Sequence, residues 1–386
     1  MQLYPVLLLA VAAVVATASA VSRPPRTTTI KHDHPLIYYH GRWDSSPGTW
    51  WYVQHFTFCL QVVTVKPRAG SGFKVNVKNL KALSLNLGEH TTAPSASIGV
   101  SVGGSEFFTM NVSAGANPLP LNAPSSGLVT AKKFSSTLVR INVEGWQNNR
   151  INLESITLNS DASLLPYESS KLAFQFIGDS LSAGQFLPQG VDQAWPFLVG
   201  EKFKAEHRIN AQPGAALTDI LSYGNVHGVS YQFFKTEDTG FYYTTDHNFT
   251  TNWNFARENP HSTHIVIHIG ANDASQGVSN DQFVQVYSDF LAKIRALNPR
   301  APIFVFTPWG WPNSDGTISY YYDGQYQKIV DDRKALGDKN IFLVDTTGWV
   351  AWADVFPDNV HPNVAGHQKI ANEFIAWLAK WGLSPQ

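Results

Sequence analysis

The stretch FQFIGDSLSAGQ, residues 174–185, begins as an apolar strand and breaks abruptly into Gly, Asp and Ser. Comparable runs recur from residue 172 onward: LAFQFIG, HRINA, THIVIHIG, PIFVFTP and IFLVDT. Helical patterns separate them. Phe283, Val286, Phe290, Ile294 and Leu297 share one face, and Ile370, Phe374, Trp377 and Trp381 share another. Strand and helix in alternation predict a parallel sheet covered on both faces. Ligands of such sheets sit outside the carboxyl ends of the strands, which is where Ser180 falls.

The chain before this point has a different texture. Residues 36–166 read as short strands between turns rich in Gly, Asn, Pro and Ser, with no helical period; FKVNVKN, ALSLNLG, SIGVSVGG and TLVRINVEG are examples. That predicts an all-β sandwich or jelly-roll domain ahead of an α/β domain over 167–386. Residues 21–35 are polar and are expected to be a loose leader. Residues 1–20, MQLYPVLLLAVAAVVATASA, have the apolar core and small-residue exit of a secretory signal, although no Lys or Arg precedes the core. An uncleaved anchor helix is the alternative. Sequons at Asn111 and Asn248 fit a secreted, glycosylated, extracellular protein with no membrane association after signal removal.

Composition narrows the function. Lys and Arg number 28 against 29 acids, so no electrostatic footprint for nucleic acid or anionic membrane is present. The single cysteine, Cys59, excludes an intrachain disulfide. No His/Cys/Asp cluster has metal-ligand spacing, and no Gly-rich loop suits a phosphate.

Three motifs follow strands in order: GDSLSAG from Gly178, IGAND from Ile269 and DNVH from Asp358, with Gly214 in NAQPGA between the first two. A serine hydroxyl needs a base to become a nucleophile, and a histidine base needs a group to hold its ring. Ser180, His361 and Asp358 supply those types, and one loop can carry both Asp358 and His361. A tetrahedral oxyanion needs fixed donors. The backbone N–H groups of Ser180 and Gly214 and the amide of Asn272 are the candidates.

This set of blocks resembles the SGNH (GDSL) hydrolase superfamily from about residue 172 to the end. The resemblance implies a flavodoxin-like three-layer α/β fold, ester hydrolysis and no cofactor. It carries Ser180 over as nucleophile, Gly214 and Asn272 as oxyanion donors, and His361 as base with Asp358 behind it. A β domain in front, with its linker, resembles the two-domain carbohydrate esterases of family 2, which remove acetyl groups from plant polysaccharides such as xylan.

Other residues have plainer readings. Asp179 is expected to form the turn and Asp273 to anchor a loop. His264 and His268 are expected in the core, and His367 in packing or on the surface. Trp309 and Trp311, in PWGWP, are candidate sugar-binding aromatics on the edge that carries Ser180. Residues 222–260 form an aromatic-rich insertion that either lines the site or buries itself. Trp43, Trp50 and Trp51 are expected in core or interdomain packing. The expectation is a secreted serine esterase acting on acetylated carbohydrate. The rivals are a GDSL-type lipase or general carboxylesterase, and a carbohydrate-binding protein without catalysis.

Overall fold

The computed structural model describes residues 26–44, 63–65, 70–121, 136–145, 149–236 and 252–385. The signal segment, Cys59, Trp50, Trp51, Tyr242, Tyr243 and Asn248 lie outside them.

The first part of the chain builds twelve strands: β1 (Thr27–Lys31), β2 (Tyr38–His40), β3 (Trp43–Asp44), β4 (Val63–Val65), β5 (Gly72–Lys78), β6 (Leu83–Leu87), β7 (Ala96–Val102), β8 (Phe108–Val112), β9 (Gly115–Pro118), β10 (Thr137–Val143), β11 (Asn152–Asn159) and β12 (Ser163–Leu165). They form two antiparallel sheets, β3-β4-β11-β6-β9 with β1 on β11, and β12-β5-β10-β7-β8 with β2 on β5. Alternation does the sorting. In β6, Leu83, Leu85 and Leu87 face the core while Ser84 and Asn86 are part-exposed. Val75, Val100, Ile141 and Ile156 fill the core between the sheets with no exposed surface. The loose leader expected over 21–35 requires correction. Thr27–Lys31 pairs along its whole length with β11, from Thr27 opposite Asn159 to Lys31 opposite Ser155. Its alternating Thr, Ile and Lys suit an edge strand exposed on one side.

The second part is the α/β domain. Its parallel sheet uses β13 (Ala173–Asp179), β14 (Glu206–Gln212), β15 (His264–His268), β16 (Ile303–Phe306) and β19 (Ile341–Val344), with β17 (Trp311–Pro312) and β18 (Ile318–Ser319) as a side hairpin. The order is β14-β13-β15-β16-β19. Chain direction across the sheet therefore reverses at β13, and the crevice between β13 and β15 is a topological switch point. The helices are α1 (Ser180–Ala183), α2 (Trp195–Lys202), α3 (Val229–Gln232), α4 (Ala271–Ser275), α5 (Asn280–Leu297), α6 (Gln325–Ala335) and α7 (Val364–Trp381). α2 packs on α7, and α5 packs on α3 and α6. β13 is buried at every position, as a strand covered on both faces must be. In α5 the buried stripe is Phe283, Tyr287, Phe290, Leu291 and Ile294, whereas Leu297 is exposed. The face is thus rotated from the expected one: Tyr287 and Leu291 join the stripe, and Val286 is only part-buried.

Polar groups weld the two domains. Lys74 on β5 meets Glu206 on β14 at 2.6 Å, and Tyr167 donates to the same carboxylate at 2.7 Å. Arg140 on β10 holds Glu201 on α2 with both arms of its fork, at 2.7 and 2.5 Å. Arg42 donates to the carbonyls of Phe233 and Lys235 and lies 4.6 Å from the Trp253 ring. Trp43 is buried beside it. The described part of the 222–260 insertion is therefore largely a docking surface for the β domain, with Trp253 buried in it. Burial works against the Glu206 charge, but Lys74 and the bonds from Lys74 and Tyr167 outweigh it and hold the carboxyl down at about 2.

A carboxyl depressed in the folded state contributes stability that is complete above its unfolded value and lost as pH falls towards the folded one. Denaturant melts between pH 5 and pH 2 should therefore show a fall in stability that is shallower in Glu206→Gln. At pH 7, Glu206→Gln should cost about 3–5 kcal/mol, because Lys74 is left buried and uncompensated. Equal stability of the two proteins at pH 7 would contradict this account.

Candidate active site

Ser180 follows directly on β13 as the first residue of α1 and is 7 % exposed. The turn is made by its neighbours. Asp179 caps α1 by accepting from Leu181 N at 3.0 Å, and Gly184 ends the helix at φ +77°. Gly178 is required where the strand ends, since a Cβ there would lie 2.5 Å from Ser182 Oγ and 2.8 Å from His268 O.

His361 reaches this serine from the far end of the sequence. Its Nε2 lies 2.8 Å from Ser180 Oγ, and its Nδ1 lies 2.5 Å from Asp358 Oδ2. With Asp358 as acceptor, Nδ1 carries the proton, and Nε2 is left to accept from the serine hydroxyl. Asp358 is itself held: its Oδ1 accepts from Val360 N and His361 N, each at 3.0 Å. Burial opposes its charge, but the bonds from the His361 ring and from the His361 and Val360 backbone win, so the carboxyl sits below its usual value. Asn359 makes the turn possible at φ +62°, a conformation asparagine tolerates better than most residues. Asn363 then closes the loop. It caps α7 by accepting from Gly366 N at 2.9 Å and donates to the carbonyls of Ala353 and Val355.

Gly214, on the loop after β14, and Asn272, in α4 after β15, both line a cleft of about 510 Å³ together with Ser180 and His361. Gly214 has φ +76°, and a Cβ there would lie 2.8 Å from Tyr223 Cβ. Its carbonyl accepts from Ser222 Oγ at 2.7 Å. Asn225 bonds the carbonyls of Pro213 and Ser222 and accepts from Gln212. The Asn272 amide donates to Ala215 O at 3.0 Å, so the two candidate donors are tied to each other. Asp273, the expected loop anchor, accepts from Leu217 N at 2.7 Å and Thr218 N at 2.9 Å.

The aromatic expectations divide. Trp311 is part-exposed and lines the cleft. Trp309 requires correction as a sugar-binding candidate. It has no exposed surface and stacks on His268 with ring centres 3.6 Å apart, beneath the site rather than in it. Its neighbour Gly310, at φ +78°, turns the chain so that only the second tryptophan faces the cleft. His268 and His367 are buried; His367 accepts from Trp195 N at 3.1 Å. Asn111 is exposed on β8. Two aromatics at the site were not singled out from the sequence, although Tyr223 falls within the 222–260 insertion. Tyr223, 65 % exposed at φ +45°, bonds Ser275 Oγ across the cleft, and Phe186, 56 % exposed, packs T-shaped against the His361 ring. Asn359, Ser222 and Asn225 escaped notice too, because turn-forming residues are common and only their partners set these apart. Among the described residues no cluster of side chains could hold a metal ion.

The model of the GDSL-like Lipase/Acylhydrolase family matches residues 176–369. No curated protein matches the sequence significantly. Among solved structures, a family two carbohydrate esterase from Cellvibrio japonicus is 16% identical with a TM-score of 0.68, covering 92% of this chain and 98% of its own. A family two carbohydrate esterase from Clostridium thermocellum, solved with cellohexaose, is 18% identical with a TM-score of 0.65, covering 89% and 98%. The acetyl xylan esterase Est2A from the rumen bacterium Butyrivibrio proteoclasticus is 15% identical with a TM-score of 0.66, covering 92% and 98%. At such identities these likenesses establish the two-domain fold.

Gly214→Ala should lose about 1–2 kcal/mol from the left-handed backbone alone, and more from the contact with Tyr223. It should also lower turnover by displacing the loop. Urea melts beside initial rates check this; an alanine variant with unchanged stability and rate would show that the glycine is not needed.

Proposed function

The chain belongs to the GDSL-like lipase/acylhydrolase family, and on that footing we propose that it is a secreted serine esterase that removes acetyl groups from plant-type polysaccharide or oligosaccharide. The observation that carries the proposal is the unbroken chain from Ser180 Oγ through His361 to Asp358 at the mouth of an open cleft. In the proposed cycle, Ser180 Oγ attacks the acetyl carbonyl and its proton passes to His361 Nε2. Ser180 N–H, Gly214 N–H and the Asn272 amide take up the charge on the carbonyl oxygen. His361 returns the proton to the departing sugar oxygen, leaving an acetyl-serine. Water, deprotonated by His361, then attacks the acetyl-serine, and His361 passes the proton to Ser180 Oγ as acetate leaves. Asp358 keeps the ring in the required tautomer and stabilises its charged form.

The cleft supports a small acyl group and a sugar leaving group. Among the described residues its aliphatic lining is Leu181, Pro213, Ala271 and Val360. A lipase needs far more, since each buried CH₂ contributes about 0.8 kcal/mol. Tyr223 and Trp311 offer flat faces beside polar Gln185 and Ser275, the mixture that suits a sugar ring. Export through residues 1–20 and glycosylation at Asn111 and Asn248 belong to the same proposal.

Ser180→Ala should abolish ester hydrolysis with its melting temperature unchanged, because the lost hydroxyl leaves no large cavity. Across a series of p-nitrophenyl esters, kcat/KM should fall steeply from acetyl to butyryl and vanish by octanoyl. A rise towards octanoyl would replace the carbohydrate reading with a lipase, and full activity in Ser180→Ala would end both. Trp311→Ala should weaken acetate release from acetylated xylan more than turnover of p-nitrophenyl acetate. Equal losses on the two substrates would remove Trp311 from sugar binding.

A further inference from the structure

Asp179 is not part of the chain from Ser180 to Asp358, yet it is a carboxyl with no exposed surface immediately before the serine. Its two oxygens have separate tasks. Oδ1 accepts from Leu181 N at 3.0 Å and so fixes the turn that presents Ser180. Oδ2 faces the Asn272 amide nitrogen at 3.5 Å. The other N–H of that amide is already committed to Ala215 O at 3.0 Å, which fixes the amide plane. At 3.5 Å the contact with Asp179 is at the outer limit of a hydrogen bond, much weaker than the one to Ala215.

We propose that Asp179 is a positioning residue for the oxyanion site, joining the turn of Ser180 to the amide of Asn272 so that donors from separate elements hold one geometry. The proposal rests on the reading of Asn272 as an oxyanion donor. The need for such a brace follows from the topology. The three candidate donors lie after β13, β14 and β15 and share no element. Asn272 grips the Gly214 loop through Ala215, and Asp273 grips it again through Leu217 and Thr218. The sheet sets the spacing of the three strand ends, and beyond it the contact of Asp179 with Asn272 is the side-chain link in this set between the turn of Ser180 and the other two. Electrostatic pre-organisation works only if the donors are already in place when charge develops. A buried carboxylate beside a forming oxyanion would be unfavourable if fully charged. Burial raises Asp179, with Asp273 pushing the same way against the bond from Leu181, to about 7, so near neutrality the opposing charge is only partial.

Asp179→Asn separates the two tasks. Its oxygen can still cap Leu181 N, but its NH₂ then faces the NH₂ of Asn272, donor against donor. On p-nitrophenyl acetate, kcat should fall roughly 10–100-fold with KM within about two-fold, since the affected contact forms in the transition state. In an Asn272→Ala background, the same substitution should cost less than about three-fold further, because the group through which it acts is gone. Equal losses in both backgrounds, or no loss in the first, would overturn the brace. Full activity of Asn272→Ala alone would instead overturn the oxyanion reading, and the brace with it. If Asp179→Asn does not fold, Asp179→Ser also caps a helix but is too short to reach the amide, and the same cycle with that variant decides the question.

Discussion

Burying β13 on both faces constrains everything around it. A parallel strand with no exposed position has nowhere to place a reactive side chain along its length, so polar chemistry is forced to its carboxyl end. There the strand order also reverses, and the loops after β13 and β15 part to leave a crevice. Ser180, Gly214 and Asn272 occupy the ends of three neighbouring strands, and their spacing is that of the sheet itself. The sheet supplies rigidity that a loop-built site would lack. His361 alone arrives from elsewhere, and its loop is accordingly fastened through Asp358, Asn359 and Asn363.

Rigidity at the site is matched by rigidity between the domains. The β sandwich is joined to β14, α2 and the described insertion by buried charges and by the caged guanidinium of Arg42. Buried ion pairs of this kind add little net stability over an apolar interface, but they penalise any other docking. The β14 edge of the sheet is thereby covered, which removes a strand edge otherwise open to pairing. Phe233, whose carbonyl Arg42 binds, also packs against Phe290 of α5.

Much of this was legible in the sequence. The textures of residues 36–166 and 167–386 differ because an antiparallel sandwich and a parallel sheet bury their strands differently, on one face or on two. Ser180, Gly214, Asn272, Asp358 and His361 stood out because their blocks follow one another in the order of the SGNH hydrolases that the sequence resembles. Thr27–Lys31 did not, because an edge strand exposed on one side looks like polar linker until its partner β11 is known. Trp309 and Trp311 were indistinguishable in PWGWP; the turn at Gly310 sends one under the site and the other to its wall.

The sequence by itself determined the order of elements, the class of each domain and the residue types available for chemistry, because periodicity and turn residues are local properties of the chain. Only the tertiary structure decided which of those residues meet. The approach of His361 to Ser180, the shared grip of Asn272 and Asp273 on the Gly214 loop, and the place of Asp179 between them join positions far apart in sequence. Such distances are fixed by strand order and helix packing, and no local pattern encodes them.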